Sequence, residues 1–313
     1  MIVFPRILFI SNKDDLALDY LILKFQNNGI EYLRINSEDI TQFGISFNLN
    51  EAIIDYNDTT FNLSKVASVY FRRAPSIFPK TEVLENSHFV NTERRDFLEG
   101  LYLTLRNVKW INPIFETYIA EKKTYQITLA KRMGFNIPKT VFTNNSERAN
   151  NFINNQNYSI IKPICHGLQI TNTGAYSIYT SDIQSINVDV KLFESPIYLQ
   201  EKLNTYRDIR ATVIGDKIFA VEIESFTDNK VDWRRPEIRK NYSNHNLPTE
   251  LKNRMLNFNA KLGLQYSAFD FILTKDHNYM FLETNPAGEW VWLENELDIP
   301  ISDAIINELI KDV

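Results

Sequence analysis

The sequence predicts an α/β (α+β) protein with an N-terminal β-α-β domain and two mixed α+β lobes. The chain has 313 residues, of which 44% are hydrophobic and 23% are charged, and this composition is ordinary for a globular protein of two or three joined lobes. Its opening alternates apolar runs of strand length with one helical run, which is the pattern of a β-α-β unit. Its last third contains two hairpin signals separated by a helical run, which favours an α+β lobe.

Composition also limits the class of partner and the compartment. The net charge of −5 gives no sign of a nucleic-acid partner, and no apolar run is long enough to span a membrane. The opening stretch is interrupted by Pro5 and Arg6, so it is interpreted as a strand and not as a signal peptide. The single cysteine, Cys165, excludes internal disulfides and paired-cysteine metal sites. We therefore expect a soluble cytoplasmic protein.

The N-terminal domain is predicted to span residues 1–112. Apolar spacing predicts a strand over 6–10, a helix that stops at Gly29, and a second strand over 30–35. The turn after the first strand contains no glycine, so the dinucleotide-binding fingerprint is absent. Further strands are predicted over 45–49, 52–55 and 66–71, with a helix over 92–106. The boundary is placed at Asn112-Pro113, where Asn-Pro marks a break.

Two adjacent arginines, Arg72 and Arg73, follow the strand predicted at 66–71. Arginines at a strand end usually form a solvated rim or pair with carboxylates. The alternative interpretation is recognition of an anion by the planar guanidinium fork. The residues alone leave both interpretations open.

The central lobe is predicted to span residues 113–199. Its most informative residue is Lys162, because a lysine within an apolar strand costs free energy unless an anion compensates its charge. The elements predicted here are a helix over 115–133, a strand over 139–143, a helix capped by Ser146, a strand over 158–163, a loop over 164–174, and strands over 176–180 and 197–200.

The C-terminal lobe is predicted to span residues 200–313. Gly215-Asp216 lies between two apolar runs and predicts a hairpin. The other elements predicted here are a helix over 248–262 stopped by Gly263, a second hairpin over 266–285, and a last helix over 302–311.

The second hairpin carries a candidate metal site. With a symmetric tight turn at Asp276-His277-Asn278, Asp270 lies opposite Glu283, and Asn285 shares their face because side chains two apart point the same way. Two opposed carboxylates repel each other and need a counter-charge. A hard cation such as Mg²⁺ supplies one and prefers oxygen ligands of this kind. The alternative is a strand-end Asp, a Glu before a turn, and an Asn-Pro that ends the hairpin.

Other polar residues occur in an order that suits a nucleotide-dependent ligase. Lys123 and Lys162 are placed to neutralise phosphates, although Lys123 alone is most simply a solvated helix lysine. The end of a strand at Gln200, Glu201, Lys202 and Leu203 presents backbone groups to a flat base. Asp208 and Arg210 lie two residues apart on the next strand, so they share a face, and pairing with neighbouring charges is the alternative.

These segments resemble ATP-grasp carboxylate–amine ligases from about Lys123 to Gly288. Ile160-Ile-Lys162-Pro is similar to the phosphate-binding lysine strand of that family, and Leu199-Gln-Glu-Lys-Leu203 to its adenine hinge. The resemblance implies the ATP-grasp fold, ATP and Mg²⁺ as cofactors, and nucleotide contacts from the lysines, the hinge and Asp208. It also implies that Asp270, Glu283 and Asn285 hold metal. The loop after Lys162 is less glycine-rich than is usual for a phosphate lid.

A narrower resemblance lies outside that core. Tyr70-Phe-Arg-Arg-Ala-Pro75, Val231-Asp-Trp-Arg234 and the stretch 285–294, Asn-Pro-Ala-Gly-Glu-Trp-Val-Trp-Leu-Glu, are similar to graspetide maturases of the microviridin and "grasp-with-spasm" types. Those ATP-grasp enzymes crosslink side chains of a ribosomally made precursor peptide. The resemblance implies substrate contacts from Arg72, Arg73, Asp232 and Arg234, and a precursor with a leader segment as partner.

The implied reaction converts an Asp or Glu carboxylate to an acyl phosphate, which a Thr, Ser or Lys side chain then displaces. Such a transfer depends on positioning and charge stabilisation, with Arg210, Lys162 and Arg234 as the catalytic cations. It requires no protein nucleophile, so Cys165 and His166 are left out of the site. Two other functions stay open: a ligase that modifies a protein terminus or small peptide, and a binding module without ligase activity. The oligomeric state, including a homodimer, also stays open.

Overall fold

The structure is a computed structural model that describes residues 1–74, 87–165, 167–171, 174–186, 191–226, 232, 234–235, 238–311 and 313. Within these ranges the predicted α/β (α+β) class is confirmed, because the strands form five sheets with helices between them. No helix in the described ranges is long and apolar enough to cross a lipid bilayer. Some residues of the sequence motifs lie outside the described ranges, namely Pro75, His166, Val231 and Trp233.

The N-terminal region confirms the predicted β-α-β opening. Four of its strands form a parallel sheet in the order β3-β2-β7-β8, and four form a second sheet in the order β1-β6-β5-β4. Its elements are β1 (Ile2–Val3), β2 (Ile7–Ser11), α1 (Leu16–Phe25), β3 (Tyr32–Asn36), β4 (Gly44–Asn48), β5 (Glu51–Tyr56), β6 (Thr59–Asn62), β7 (Ser68–Phe71), α2 (Ser87–Thr104) and β8 (Lys109–Ile111). Gly29 ends the first helical segment with φ 65°, as its predicted stop position requires.

The central region contains an antiparallel sheet in the order β13-β10-β14-β9 and a separate hairpin, β11-β12. Its elements are α3 (Ile114–Ala120), α4 (Lys123–Arg132), β9 (Thr140–Asn145), α5 (Ser146–Asn154), β10 (Ser159–Lys162), β11 (Leu168–Thr171), β12 (Gly174–Ser177), β13 (Ser181–Ile183) and β14 (Leu192–Glu201). The loop predicted over 164–174 is therefore wrong in part, because β11 lies inside it. The cap of α5 is Asn145, one residue before the predicted Ser146.

The single helix predicted over 115–133 is also wrong, because α3 ends at Ala120 and α4 begins at Lys123. The side chain of Gln126 donates hydrogen bonds to the carbonyl oxygens of Ala120 and Thr284 and accepts one from the Thr284 amide at 3.1 Å. It thereby satisfies a carbonyl at the end of α3 that an unbroken helix would have bonded internally. The same contacts fasten α4 to the strand that contains Thr284.

The C-terminal region is built on a five-stranded antiparallel sheet in the order β17-β16-β15-β18-β19. Its elements are β15 (Thr205–Ile214), β16 (Lys217–Ser225), β17 (Lys240–Asn244), α6 (Thr249–Leu262), β18 (Tyr266–Thr274), β19 (Tyr279–Asn285), α7 (Val291–Leu297) and α8 (Ile301–Ile310). Both predicted hairpins are confirmed, as is the helix that Gly263 ends with φ 70°. Helix α7 was not predicted, and the stretch 285–294 runs from the last residue of β19 into it.

Two apolar cores pack against this sheet. Helix α6 packs its buried side chains, including Phe258, against Phe269 and Phe281 on one face. Helix α8 returns to the N-terminal region, where Ile305 joins the same core as Phe9 of β2. The opposite face of the five-stranded sheet carries the charged residues described next. The predicted boundaries at 112/113 and 199/200 stay predictions.

Candidate active site

Two of the predicted metal residues, Asp270 and Glu283, lie in one row with Arg210 across three neighbouring strands. Arg210 of β15 pairs with Asp270 of β18, and Asp270 pairs with Glu283 of β19. The predicted opposition of the two carboxylates is therefore confirmed. Asn285 follows two residues after Glu283 and lies on the same face of the sheet. The register shifts just beyond this row, between Asp270 and Phe271, so a perfectly symmetric hairpin was the wrong geometry for the turn end.

The donor groups in this row suit a hard cation. Arg210 donates through Nη1 to both carboxylate oxygens of Asp270, at 2.9 and 2.7 Å. The amide of Asn285 donates to Asp270 at 3.2 Å and to Glu283 at 3.5 Å, so the three predicted ligands converge. In the described part of the chain, no group of three or more Asp, Glu, His or Cys side chains is arranged so that it could hold a metal ion by itself. Two carboxylates and an amide therefore fit Mg²⁺ only when phosphate or water oxygens complete its coordination.

Two lysines face this row from different elements. Lys123, in the first turn of α4, donates to the carbonyl oxygen of Pro163 at 3.1 Å and forms a 3.2 Å ion pair with Glu283. Lys162, at the end of β10, donates to Oε1 of Gln200 at 2.7 Å. Burial lowers the pKa of Lys162 to about 8, although the negative charge of Glu283 acts to raise it. A partly buried ammonium of this kind is stabilised by a further anion, such as a phosphate.

A second charged pair lies beside Glu283. Arg234 donates through Nε and Nη2 to the two oxygens of Asp232, at 2.8 and 2.7 Å, and its Nη1 is 3.9 Å from Glu283. Asp232 is buried and also accepts from the Thr180 backbone amide at 3.3 Å, which ties it to the central region. Burial would raise the pKa of Asp232, but the hydrogen bonds and charge of Arg234 outweigh burial and lower it. The side chain of Arg234 is 53% exposed, so a ligand can reach its guanidinium.

Glu283 is the point where these charges meet. Burial alone would raise its pKa, but Lys123, Arg234 and Lys162 outweigh burial and lower the pKa to about 2. The carboxylate is therefore ionised throughout the physiological range. With Arg210, four cations surround three carboxylates, those of Asp232, Asp270 and Glu283. This concentration of cations around Glu283 favours a polyanionic ligand.

The predicted adenine hinge lies where β14 ends. The backbone amides of Glu201 and Lys202 donate to the carbonyl oxygens of Lys139 and Tyr158, both at 2.9 Å. Leu203 follows in the short connection between β14 and β15. Two of the three backbone amides of residues 201–203 therefore already have backbone partners. An adenine base would have to bond to the other backbone groups of this segment, and this contact stays a prediction.

Gln200 and Asp208, the two other predicted nucleotide residues, are both buried. Gln200 accepts from Lys162 and donates through Nε2 to the hydroxyl of Thr140 at 3.0 Å, so it holds the lysine in place. Asp208 lies two residues before Arg210 on β15, on the same face of the sheet. The structure thus places Gln200 beside Lys162, and Asp208 on the face that carries Arg210.

The two arginines predicted to contact substrate have different surroundings. Arg72 is 2% exposed, with Nε 3.1 Å from Asp15 and Nη2 2.6 Å from Glu289. This burial does not fit the predicted substrate contact. Arg73 has a side chain that is 47% exposed and that also reaches Glu289, at 2.8 Å. Its φ of 49° is uncommon for a residue with a side chain and marks a tight backbone turn after β7. Of the pair, Arg73 is the residue that a peptide can reach.

Sequence reasoning missed several residues that support the site. Asp15, Asn112, Gln126 and Glu289 all bond to site elements from distant parts of the chain. Asn112 was interpreted only as a break before Pro113. Buried polar residues such as Asn112 and Gln126 have no periodic signature, whereas a signal was available for Glu289, which lies within the stretch 285–294.

The fold and the charged row together define a nucleotide-dependent ligase of the ATP-grasp class. Residues 120–309 match the family model described as a RimK-like ATP-grasp domain, and this region contains every predicted nucleotide and metal residue. The chain belongs to the RimK-like ATP-grasp family. This membership confirms the resemblance to ATP-grasp ligases and the predicted ATP-grasp fold. It also confirms the predicted activity, that of an ATP-dependent ligase that uses ATP and Mg²⁺.

Solved structures extend the likeness to the whole chain. A RiPP-associated ATP-grasp ligase from Chryseobacterium gregarium, in complex with ADP and a leader and core peptide, is 23% identical with a TM-score of 0.87, over 99% of this chain and 97% of that one. The macrocyclase MdnC from Microcystis aeruginosa MRC, bound with precursor peptide MdnA, is 23% identical with a TM-score of 0.83, over 98% and 100%. The macrocyclase MdnB from the same organism is 26% identical with a TM-score of 0.81, over 97% and 98%. No curated protein sequence matches the chain significantly.

Proposed function

We propose that this protein is an ATP-dependent peptide macrocyclase. It would activate Asp or Glu side chains of a ribosomally made precursor and join them to Thr, Ser or Lys side chains of the same peptide. The observation that carries the proposal is the row of Arg210, Asp270 and Glu283 flanked by Lys123 and Lys162, which combines metal ligands with phosphate-binding cations. The structural neighbours bound to leader, core or precursor peptides support a peptide as the substrate.

ATP with Mg²⁺ supplies the phosphoryl group that makes a carboxylate reactive as an acyl phosphate. Asp270, Glu283 and Asn285 would hold the metal on one face of the sheet. Arg210 and Lys123 now pair with two of these ligands, and they lie within reach of phosphate groups placed over the row. We expect both cations to exchange carboxylate partners for phosphate partners when nucleotide binds. The transfer then relies on fixed charges and not on a protein nucleophile.

The exposed arginines define the peptide side of the site. Arg234 presents its guanidinium beside Glu283 and is oriented by Asp232, which suits a fork that holds the donor carboxylate close to the transferred phosphate. Arg73 adds a second accessible guanidinium. The acceptor side chain would come from the same peptide, so its attack is effectively intramolecular and a hydroxyl can compete with water. A leader segment docked elsewhere would raise the local peptide concentration further.

Intact-mass spectrometry tests this proposal. With ATP, Mg²⁺ and the cognate precursor, we expect the peptide to lose the mass of one water for each bond formed, and no loss with Asp270→Asn. A gain equal to an amino acid would instead indicate a ligase that extends a peptide. Binding of both ATP and a verified precursor without any mass change would indicate a binding module and refute the proposal.

A further inference from the structure

The loop of residues 286–289 directly follows Asn285, and side chains hold it along its backbone. Nη1 of Arg72 donates to the carbonyl oxygens of residues 287 and 288, at 3.1 and 2.9 Å. Nη2 of the same guanidinium reaches the Glu289 carboxylate at 2.6 Å. One buried side chain from the N-terminal region therefore holds three successive residues of this loop.

The guanidinium of Arg72 is itself fixed. Its Nε lies 3.1 Å from Oδ1 of Asp15, which is buried. Asp15 accepts from the Ser11 hydroxyl at 2.6 Å and caps α1 by accepting from the Leu18 amide at 3.2 Å. Arg72 is thus held between the first helix of the chain and the loop, with little freedom to change rotamer.

Asn112 holds the same loop from its other end. Its Nδ2 donates to the carbonyl oxygens of Tyr266 and Pro286, at 2.7 and 2.9 Å. Its Oδ1 accepts from the backbone amides of Gln265 and Tyr266, at 2.7 and 2.8 Å. These four bonds use both donors and both acceptor positions of the buried amide. Asn112 therefore fastens the start of β18 to the loop that follows β19.

The held loop packs directly against the charged row. A Cβ atom at Gly288 would lie 2.6 Å from Nη2 of Arg210 and 3.4 Å from Cβ of Asn285. Nη2 of Arg210 also lies 3.4 Å from the carbonyl oxygen of Glu289, to which it donates. The Tyr266 hydroxyl donates to the Gly288 carbonyl at 2.7 Å. The loop therefore contacts these site residues directly, and we expect a displaced loop to change the position of Arg210 or Asn285.

We propose that Arg72 and Asn112 are positioning residues for the metal site. They fix the loop 286–289, and the loop fixes Asn285 and Arg210. The inference rests on the proposed metal role of Asn285. It assigns to the N-terminal region a part in Mg²⁺ affinity, although neither residue is placed to touch the metal. Residues that orient metal ligands commonly change metal affinity by about 10- to 100-fold when they are replaced.

The test is a magnesium titration of nucleotide binding with Arg72→Met, which keeps most of the side-chain length and removes the donors. ADP binding is measured by calorimetry at a series of Mg²⁺ concentrations. We expect the Mg²⁺ concentration for half-maximal binding to rise about 10- to 100-fold, while binding of ADP without Mg²⁺ is unchanged. Asn112→Ala is expected to shift the same quantity in the same direction.

Lys24→Met is the matched control. Lys24 of α1 forms an ion pair with Glu294 of α7, so its loss also removes a contact between the N-terminal and C-terminal regions without touching the loop. We expect its magnesium dependence to equal that of the wild type. An equal shift in this control would trace the effect to general loosening and overturn the inference.

Unchanged magnesium dependence in Arg72→Met also overturns the inference. If that variant does not fold, Arg72→Lys keeps the charge and part of the hydrogen bonding. A smaller shift in the same direction then supports the inference, and no shift overturns it. ADP binding by the wild type that is independent of Mg²⁺ would refute the proposed metal site, and the inference would fall with it. The mass-spectrometric test of ligation stays separate from each of these results.

Discussion

Two arginine–carboxylate groups in this protein use the same chemistry in opposite settings. Around Arg72, the guanidinium and its partner Asp15 are both buried, and further bonds go to backbone carbonyls. Around Arg234, the side chain is more than half exposed, and its guanidinium lies between Asp232 and Glu283. We call these the buried network and the open network.

The difference shows that burial determines whether a charged side chain serves the folded structure or ligand binding. Breaking a buried pair leaves an uncompensated charge without water, so the buried network is committed to the folded structure. The open network keeps solvent access at Arg234, so this guanidinium can exchange its carboxylate partners for those of a ligand. We therefore expect substitutions in the open network to affect catalysis and those in the buried network to affect stability and geometry.

The largest expected effect comes from removing charge at the metal row. Asp270→Asn and Glu283→Gln should each lower kcat by about 10²- to 10³-fold or more, because preorganised charge stabilisation is lost while shape is kept. The measurement is precursor modification over time, with circular dichroism to confirm folding. Glu222→Gln is the control, because Glu222 also pairs with an arginine, Arg207, on the opposite face of the same sheet. Near-wild-type activity in both site variants would remove the metal assignment.

The buried network is tested with Asp15→Asn. We expect the free energy of unfolding to fall by about 3 kcal/mol, because Arg72 loses its buried partner. Urea denaturation measures the change. Asp19→Asn is the control, since Asp19 forms a partly exposed ion pair with Arg34 and should cost about 1 kcal/mol or less. Equal losses in the two variants would contradict the contrast between the networks.

Lys162 should affect nucleotide binding directly. Replacing Lys162 with Met removes a charge-assisted contact to phosphate, and we expect ATP affinity to fall by about 10- to 100-fold. Lys139→Met, at an exposed lysine of the same lobe, should leave affinity unchanged. Parent-like ATP binding by Lys162→Met would show that the proposed orientation of the nucleotide is wrong.

The pH dependence of binding gives a smaller effect with a definite sign. Burial lowers the pKa of Lys162 to about 8, below its usual value, so the charged form is lost as pH rises through that value. We expect ATP affinity to be steady below that pH and to fall by at most about tenfold per pH unit above it. Binding isotherms between pH 7 and pH 9 measure it. Lys162→Met should lack this component, and an equally steep fall in the variant would contradict the assignment.

The smallest effect is expected at the peptide side. Arg234→Lys keeps the charge but loses the planar fork, so the KM for precursor should rise by about 2- to 10-fold while ADP affinity is unchanged. Initial rates at varied precursor concentration give the KM, and an ADP titration gives the ADP affinity. The reverse ranking would place Arg234 at the nucleotide.

The sequence predicted those features that depend on local periodicity. Opposition of Asp270 and Glu283 follows from counting residues outward from the hairpin turn, and the position of Asn285 on their face follows from the two-residue period of strands. The stop at Gly263 follows from its left-handed backbone conformation. Family resemblance then assigned roles to residues such as Lys162 that lie on these regular elements.

What the sequence could not predict depends on contacts between distant segments. The guanidinium forks of Arg72 and Arg73 look alike in the chain, and only tertiary packing buries the first and exposes the second. The break between α3 and α4 is compensated by Gln126 through contacts with Thr284, which lies 158 residues away. Asn112 likewise acts only where β18 and the loop after β19 meet.

The break before α4 has a mechanical consequence. Gln126 bonds α4 to β19, and Phe135, just after that helix, is buried in the core of α6 and the five-stranded sheet. We therefore expect Lys123 to move together with Glu283, whereas Lys162 belongs to the sheet of β9, β10, β13 and β14. A hinge opening between these parts would separate the two lysines and break the bond from Lys123 to the Pro163 carbonyl. Spin labels on α4 and α5 should therefore report a shorter, narrower distance distribution when nucleotide binds between these parts, and an unchanged distribution would argue against the hinge.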